Sequence, residues 1–110
     1  MTVLNGNDEI LLLTILALKE NAYGATIMQR LTEVTGKEWS IGAVYDPLHR
    51  LEKTGFVRSG LTSPTPERGG RSKRVYEVTP SGLKALSRHR EVRARISRHI
   101  SDLVFDIKTK

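Results

Sequence analysis

The stretch Ser40 to Val57, SIGAVYDPLHRLEKTGFV, constrains this chain most, because it holds a helix start, an apolar seam and a helix stop in one short segment. Ser40 has the side chain of an N-cap, a hydroxyl able to accept from a free N–H two or three residues on. Ile41, Val44, Leu48 and Leu51 follow at steps of three, four and three, which is one stripe of a helix. Gly55 suits the left-handed position that ends helices, and Phe56 and Val57 begin an extended segment. Opposite the stripe, at about 100° per residue, fall Gly42, Ala43, Asp46, His49, Arg50 and Lys53, with Tyr45 on the flank. That face begins small and becomes polar and basic. Small residues in a first turn let another surface approach the backbone, and the free N–H groups there favour phosphate. An ordinary amphipathic helix with a solvated outer face fits the same pattern. Asp46-Pro47 offers a second start, since proline disfavours helix for the residue before it and suits a first turn. The stripe keeps its phase across Pro47, which favours the start at Ser40, with a kink.

The N-terminal part carries more apolar surface than one face of a helix can bury. Asn5, Gly6, Asn7 and Asp8 supply capping chemistry, and the run ILLLTILAL from Ile10 to Leu18 follows with only Thr14 polar. A helix apolar nearly all round must be covered on more than one side. One side meets the chain's own core. A second copy on the other side places Ile10, Leu11, Leu13 and Leu18 at a dimer interface; the alternative is a central helix wrapped by a monomer, which 110 residues achieve with difficulty. Tyr23 to Thr35 is a second predicted helix, with Ile27, Leu31 and Val34 inward and Gly36 as its stop. The linker Lys37 to Trp39 is brief, so this helix and the next are neighbours set at an angle, a helix-turn-helix arrangement, with Trp39 a core or short-strand residue.

Phe56 to Leu61 and Lys73 to Thr79 are extended segments, with Tyr76 and Val78 sharing one face at period two. Between them, from Thr62 to Ser72, TSPTPERGGRS contains Pro64, Pro66, Gly69 and Gly70 and is predicted as the loop at a hairpin tip. Arg68, Arg71, Lys73 and Arg74 stand on or beside it against one acid, Glu67. After a helix-turn-helix, such a hairpin is a wing able to lie along a phosphate backbone or insert arginine into a minor groove. Thr79 and Pro80 then open a last helix, with Leu83 and Leu86 docked on the winged part. Val92, Ile96, Ile100, Leu103 and Ile107 recur at four, four, three and four, a seam that pairs helices and that a small domain cannot bury alone. Arg88, Arg90, Arg93, Arg95 and Arg98 form a basic belt expected to be a solvated face. The predicted fold is mainly α with a small β-hairpin: a winged helix-turn-helix domain over 1–79, followed by one long C-terminal dimerisation helix over 80–110.

Composition narrows the partner. Lys and Arg number 18 against 12 Asp and Glu, giving a net charge of +6 and a pI near 10.0, so a polyanion comes first. Without cysteine there is no disulfide and no thiolate chemistry, which suits a reducing cytoplasm. No signal peptide precedes the first apolar run, which at nine residues is too short for a membrane span of about 20. His49, His89 and His99 show no metal-ligand spacing, and neither a strand-to-helix phosphate loop nor a nucleophile–base signature is present. The expectation is therefore no enzyme, no metal and no cofactor; a metal-dependent hydrolase would need histidines brought together across chains.

Five segments in order resemble the PadR family of bacterial transcriptional regulators: AYG at Ala22 to Gly24, SIGAVY at Ser40 to Tyr45, HRLEKTGFV at His49 to Val57, PTPERGGR at Pro64 to Arg71 and KRVYEVTPSG at Lys73 to Gly82. The resemblance covers nearly the full length and implies a winged homodimer that represses transcription from a roughly two-fold-symmetric operator in double-stranded DNA, pairing through its first and last helices. On that basis Ser40, Gly42, Ala43, Tyr45, Asp46, His49, Arg50 and Lys53 are expected at a major groove, and Arg68, Arg71, Lys73 and Arg74 at the flanking backbone or minor groove. Many family members carry proline directly after the tyrosine, whereas Asp46 intervenes here, so base contacts do not transfer position by position. Many also have a longer helical C-terminal region. A small aromatic or drug-like effector at the dimer centre, as in some relatives, is implied by kinship alone. The rival is a ligand-sensing or protein-interaction module that uses the winged helix as a scaffold.

Overall fold

The computed structural model describes residues 4–62 and 73–109, with side chains described through residue 106. Helices α1 (Gly6–Leu18), α2 (Gly24–Thr35) and α3 (Ile41–Thr54) precede a hairpin of β1 (Val57–Leu61) and β2 (Arg74–Val78), and α4 (Pro80–Ser97) and α5 (Asp102–Thr109) complete the order. A 3-10 turn, Lys19–Asn21, joins α1 to α2.

Local chemistry explains most boundaries. Asn5 and Asp8 form a reciprocal capping box, the Asp8 N–H donating to Asn5 Oδ1 at 2.8 Å and the Asn5 N–H to Asp8 Oδ2 at 3.2 Å. Ser40 Oγ accepts from the Ala43 N–H at 3.1 Å, so α3 starts where its cap predicts, and the helix continues through Pro47. Gly55 takes φ 89° after α3. The Phe56 N–H reaches back to the Leu51 carbonyl at 2.9 Å and the Gly55 N–H to that of Glu52 at 3.1 Å, the paired bonds of a Schellman stop. Thr79 Oγ1 accepts from the Gly82 N–H at 3.0 Å, opening α4 on Pro80.

The hairpin pairs Val57 with Val78 and Leu61 with Arg74, and Ser59 lies opposite Tyr76. Its inner face places Val57, Tyr76 and Val78 in the core. A bridge from Tyr23 to Val75, with the Tyr76 N–H donating to the Ala22 carbonyl at 2.8 Å, ties β2 to the chain entering α2. Leu11, Leu12 and Ile15 of α1, Ile27 and Leu31 of α2, Val44, Leu48 and Leu51 of α3 and Leu86 of α4 converge on the same core, with Trp39 at its margin. The indole N–H of Trp39 donates to Thr35 Oγ1 at 2.9 Å, which fixes it as a core residue.

Several expectations change. Val34 is 74% exposed and Ile41 68%, because each stands at a helix end where its stripe overruns the neighbour meant to cover it. Leu83 is exposed, and of the predicted docked pair only Leu86 is buried. Leu11 lies wholly inside the chain's own core and so cannot belong to an outward interface; Leu16 takes its place beside Ile10 and Leu13 on the exposed side of α1, while Leu18 is half-buried. The C-terminal helical segment is two pieces. It breaks after Ser97 and restarts at Asp102, where Ser101 Oγ accepts from the Leu103 N–H at 3.2 Å, a capping contact the seam's periodicity does not register. Arg68 and Arg71, with most of the Thr62 to Ser72 loop, lie outside the described residues, as does the side chain of Ile107.

Close packing at Gly82 seats α4 on the hairpin. A Cβ there would lie 2.1 Å from the Phe56 carbonyl oxygen and 2.8 Å from Val78 Cγ1, whereas one at Gly60 meets nothing within 4 Å. Gly82→Ala is expected to cost about 1–3 kcal/mol in urea denaturation, and Gly60→Ala to leave the midpoint nearly unchanged.

Candidate nucleic-acid interface

Helix α3 is held along both flanks, and an exposed stripe runs between them. Val44, Leu48 and Leu51 face the core. On one flank the Arg50 guanidinium donates to Asp8 Oδ1 at the start of α1. On the other, Tyr45 packs half-buried against Gly24, where a Cβ would lie 1.8 Å from the tyrosine Oη, and Glu52 accepts from the Ser59 hydroxyl of β1 at 2.8 Å. Between these flanks Gly42, Asp46, His49 and Lys53 recur at steps of four, three and four and are exposed. Ser40 and Ala43 are exposed at the helix start, and a Cβ on Gly42 would make only an ordinary contact with Asp46 Oδ2 at 3.6 Å.

The sequence-predicted residues therefore separate. Gly42, Asp46, His49 and Lys53 share the open stripe. Arg50 is turned to Asp8, and Tyr45 is committed to packing over Gly24, a close approach that explains the glycine of the AYG segment. In the hairpin, Lys73 sits half-buried with Nζ 4.1 Å from the Tyr23 ring centroid, and an Arg74 guanidinium N–H donates to Ser59 Oγ at 3.0 Å. Of the four predicted wing cations, the two among the described residues are thus engaged within the chain. Arg58 pairs with Glu77 across the opposite, exposed face of the hairpin.

Residues absent from the sequence-based site hold it in place. Asp8 and Glu9 are both buried at the start of α1. Asp8 anchors α3 through Arg50. Glu9 anchors α4, accepting from Arg93 at 2.6 Å, with His89 Nε2 3.7 Å from its other oxygen. Arg93, expected on a solvated belt, is therefore a strut. A signal for Asp8 was present: it lies three residues before Leu11 and four before Leu12, in phase with the buried stripe.

The sequence over residues 12–88 matches the transcriptional regulator PadR-like family. The chain belongs to that family. It is 34% identical over 84 residues to the transcriptional regulator Rv3488 of Mycobacterium tuberculosis, covering 76% of this chain and 74% of that one. The fold superposes on a PadR-like transcriptional regulator of Bacillus cereus with a TM-score of 0.68 at 23% identity, over 87% of this chain and 89% of the other. It superposes on a Streptococcus transcriptional regulator with a TM-score of 0.67 at 26% identity, over 92% and 90%. As a PadR-like regulator the protein belongs among transcriptional regulators and not enzymes. Among the described residues no side-chain group is arranged to hold a metal, and no helix is long and apolar enough to cross a membrane.

Tyr76 lies where α3 meets the hairpin. Burial first, then the neighbouring Tyr45 and Glu52, push its phenol above the ordinary 10.0, opposed by Arg74. A raised folded value means that the unfolded chain releases this proton first. Stability contributed by Tyr76 is therefore present below pH 10 and falls as pH rises from there towards the folded value. Thermal melts across that alkaline window should decline less steeply for Tyr76→Phe than for the parent.

Proposed function

We propose that this PadR-like regulator binds double-stranded DNA as a homodimer and represses transcription. Each subunit sets the open stripe of α3 into a major groove of a pseudo-palindromic operator. The observation that carries this is the stripe itself: Gly42, Asp46, His49 and Lys53 are left outward on a helix anchored along both flanks. Gly42 and Ala43 let the helix start approach the backbone, and free N–H groups there face phosphate. Lys53 and His49 supply donors to phosphates or base edges, and Asp46 accepts from a cytosine amino group or repels wrong approaches. Arg68 and Arg71 of the wing take flanking phosphate or minor groove, and the net charge of +6 per chain draws the protein to DNA.

Residues 1–79 form the reading part and 80–110 the pairing part in this proposal, with α1 contributing to both. Exposed apolar residues support it. Ile10, Leu13 and Leu16 of α1 and Val92, Ile96, Ile100, Leu103 and Val104 of the C-terminal segment are large apolar side chains left exposed by the chain's own fold. A second copy covers them and presents two reading helices about one turn of DNA, or a multiple, apart. The protein acts in the cytoplasm, alongside the DNA it reads. An effector at the dimer centre rests on kinship alone. The scaffold alternative leaves the outward stripe of α3 without a task.

Titration against a duplex selected from a random library should show affinity falling steeply with salt. Lys53→Ala should weaken binding and lower the salt slope by about 1; equal dissociation constants at two salt concentrations would refute the electrostatic proposal. For assembly, Ile96→Asp combined with Leu103→Asp is expected to convert a sedimenting dimer into a folded monomer with much weaker operator binding.

A further inference from the structure

A chain of hydrogen bonds runs from the reading helix into both strands of the wing. Arg74 on β2 donates to Ser59 Oγ at 3.0 Å, and the Ser59 hydroxyl donates its own proton to Glu52 Oε2 on α3 at 2.8 Å. Ser59 is half-buried and lies directly across the ladder from Tyr76, whose ring is in the core, while Glu52 and Arg74 are exposed. Each end of the chain is charged, which strengthens both bonds, and one serine acts as acceptor from a cation and donor to an anion. Beyond the strands, the Thr62 N–H donates to the Lys73 carbonyl at 2.8 Å and the Lys73 N–H to Thr62 Oγ1 at 3.0 Å, so the pairing continues towards the tip.

We infer that Glu52 and Ser59 are positioning residues that fix the wing's angle to the reading helix, and that Arg74 is the third member of this strut instead of a phosphate contact. The inference rests on the DNA-binding function proposed above. Core packing and the Tyr23–Val75 bridge hold the hairpin's base; without the strut the part beyond Ser59 gains freedom, and flanking contacts made through it are weakened by the entropy of ordering it. Contacts made by the outward stripe of α3 do not depend on the strut. The Arg58–Glu77 pair, which bonds strand to strand on the hairpin's other face, serves as the control.

The test uses the full-length protein and two duplexes: one selected from a random library with the parent protein, and the same one trimmed to the half-sites under α3. The parent should bind the longer duplex more tightly. Glu52→Ala and Ser59→Ala should lose most of that gain, about two- to fivefold for charge-assisted bonds open to solvent, while binding the trimmed duplex as the parent does. Glu52→Gln removes the same negative charge as Glu52→Ala but keeps an acceptor, so it should restore the gain; Glu77→Ala should not disturb it. Equal losses on both duplexes, or no loss on the longer one, would overturn the strut. Amide relaxation of Ser59 to Thr62 in the DNA-free protein separates the two levels. Unchanged order in Glu52→Ala overturns the strut even if DNA binding holds, and a parent protein that binds neither duplex overturns the DNA-binding function and the positioning role together.

Discussion

Two carboxylates side by side at the start of α1 hold α3 and α4 in register. Asp8 and Glu9 are buried, and a buried charge is tolerated only when it is paired and hydrogen-bonded. Asp8 is satisfied by the Asn5 cap and by Arg50 of α3; Glu9 is satisfied by Arg93, with His89 nearby, on α4. One helical turn thus fixes both the helix that presents the outward stripe and the helix that leads to the exposed C-terminal apolar residues. The helix dipole adds to this, since acids in a first turn are favoured by the partial positive charge there. Removing either acid would leave a cation from another helix without its partner.

The same logic explains why α3 is so well fixed for a helix containing proline. Pro47 lacks the N–H that would bond to the Ala43 carbonyl, which weakens the helix internally. Compensation comes from outside: a core stripe of Val44, Leu48 and Leu51, the Asp8–Arg50 pair on one flank, and Gly24–Tyr45 packing with the Glu52–Ser59–Arg74 chain on the other. Each flank uses up residues that composition alone would assign to DNA. What is left outward is narrow, mixed in charge and flanked by fixed neighbours, which suits the groove contact proposed for it.

The parts legible in the sequence were those decided by neighbours in the chain. Ser40, Gly36, Gly55, Thr79 and Pro80 mark helix ends because capping needs only a few adjacent residues, and the apolar stripes of α2 and α3 were readable in their interiors. The hairpin was legible from its alternation, and Gly24 from family resemblance before its steric role over Tyr45 was visible. Illegible were the long-range choices. Arg50 and Arg93 belong to basic faces in sequence, and only the folded chain brings buried acids to meet them. Periodicity could not locate the break between α4 and α5, because the apolar spacing survives it. Nor could it tell which of Ile10, Leu11 and Leu13 turns inward on a helix apolar nearly all round.

The central claim is that the open stripe of α3 is the part of the protein that meets DNA. A photo-crosslinking amino acid placed at His49, on that stripe, and separately at Ile96, exposed on α4, tests it directly in the full-length protein with a selected duplex. Crosslinks to base-paired DNA are expected from position 49 and not from position 96. Equal yields at the two positions, or DNA captured only from position 96, would contradict it.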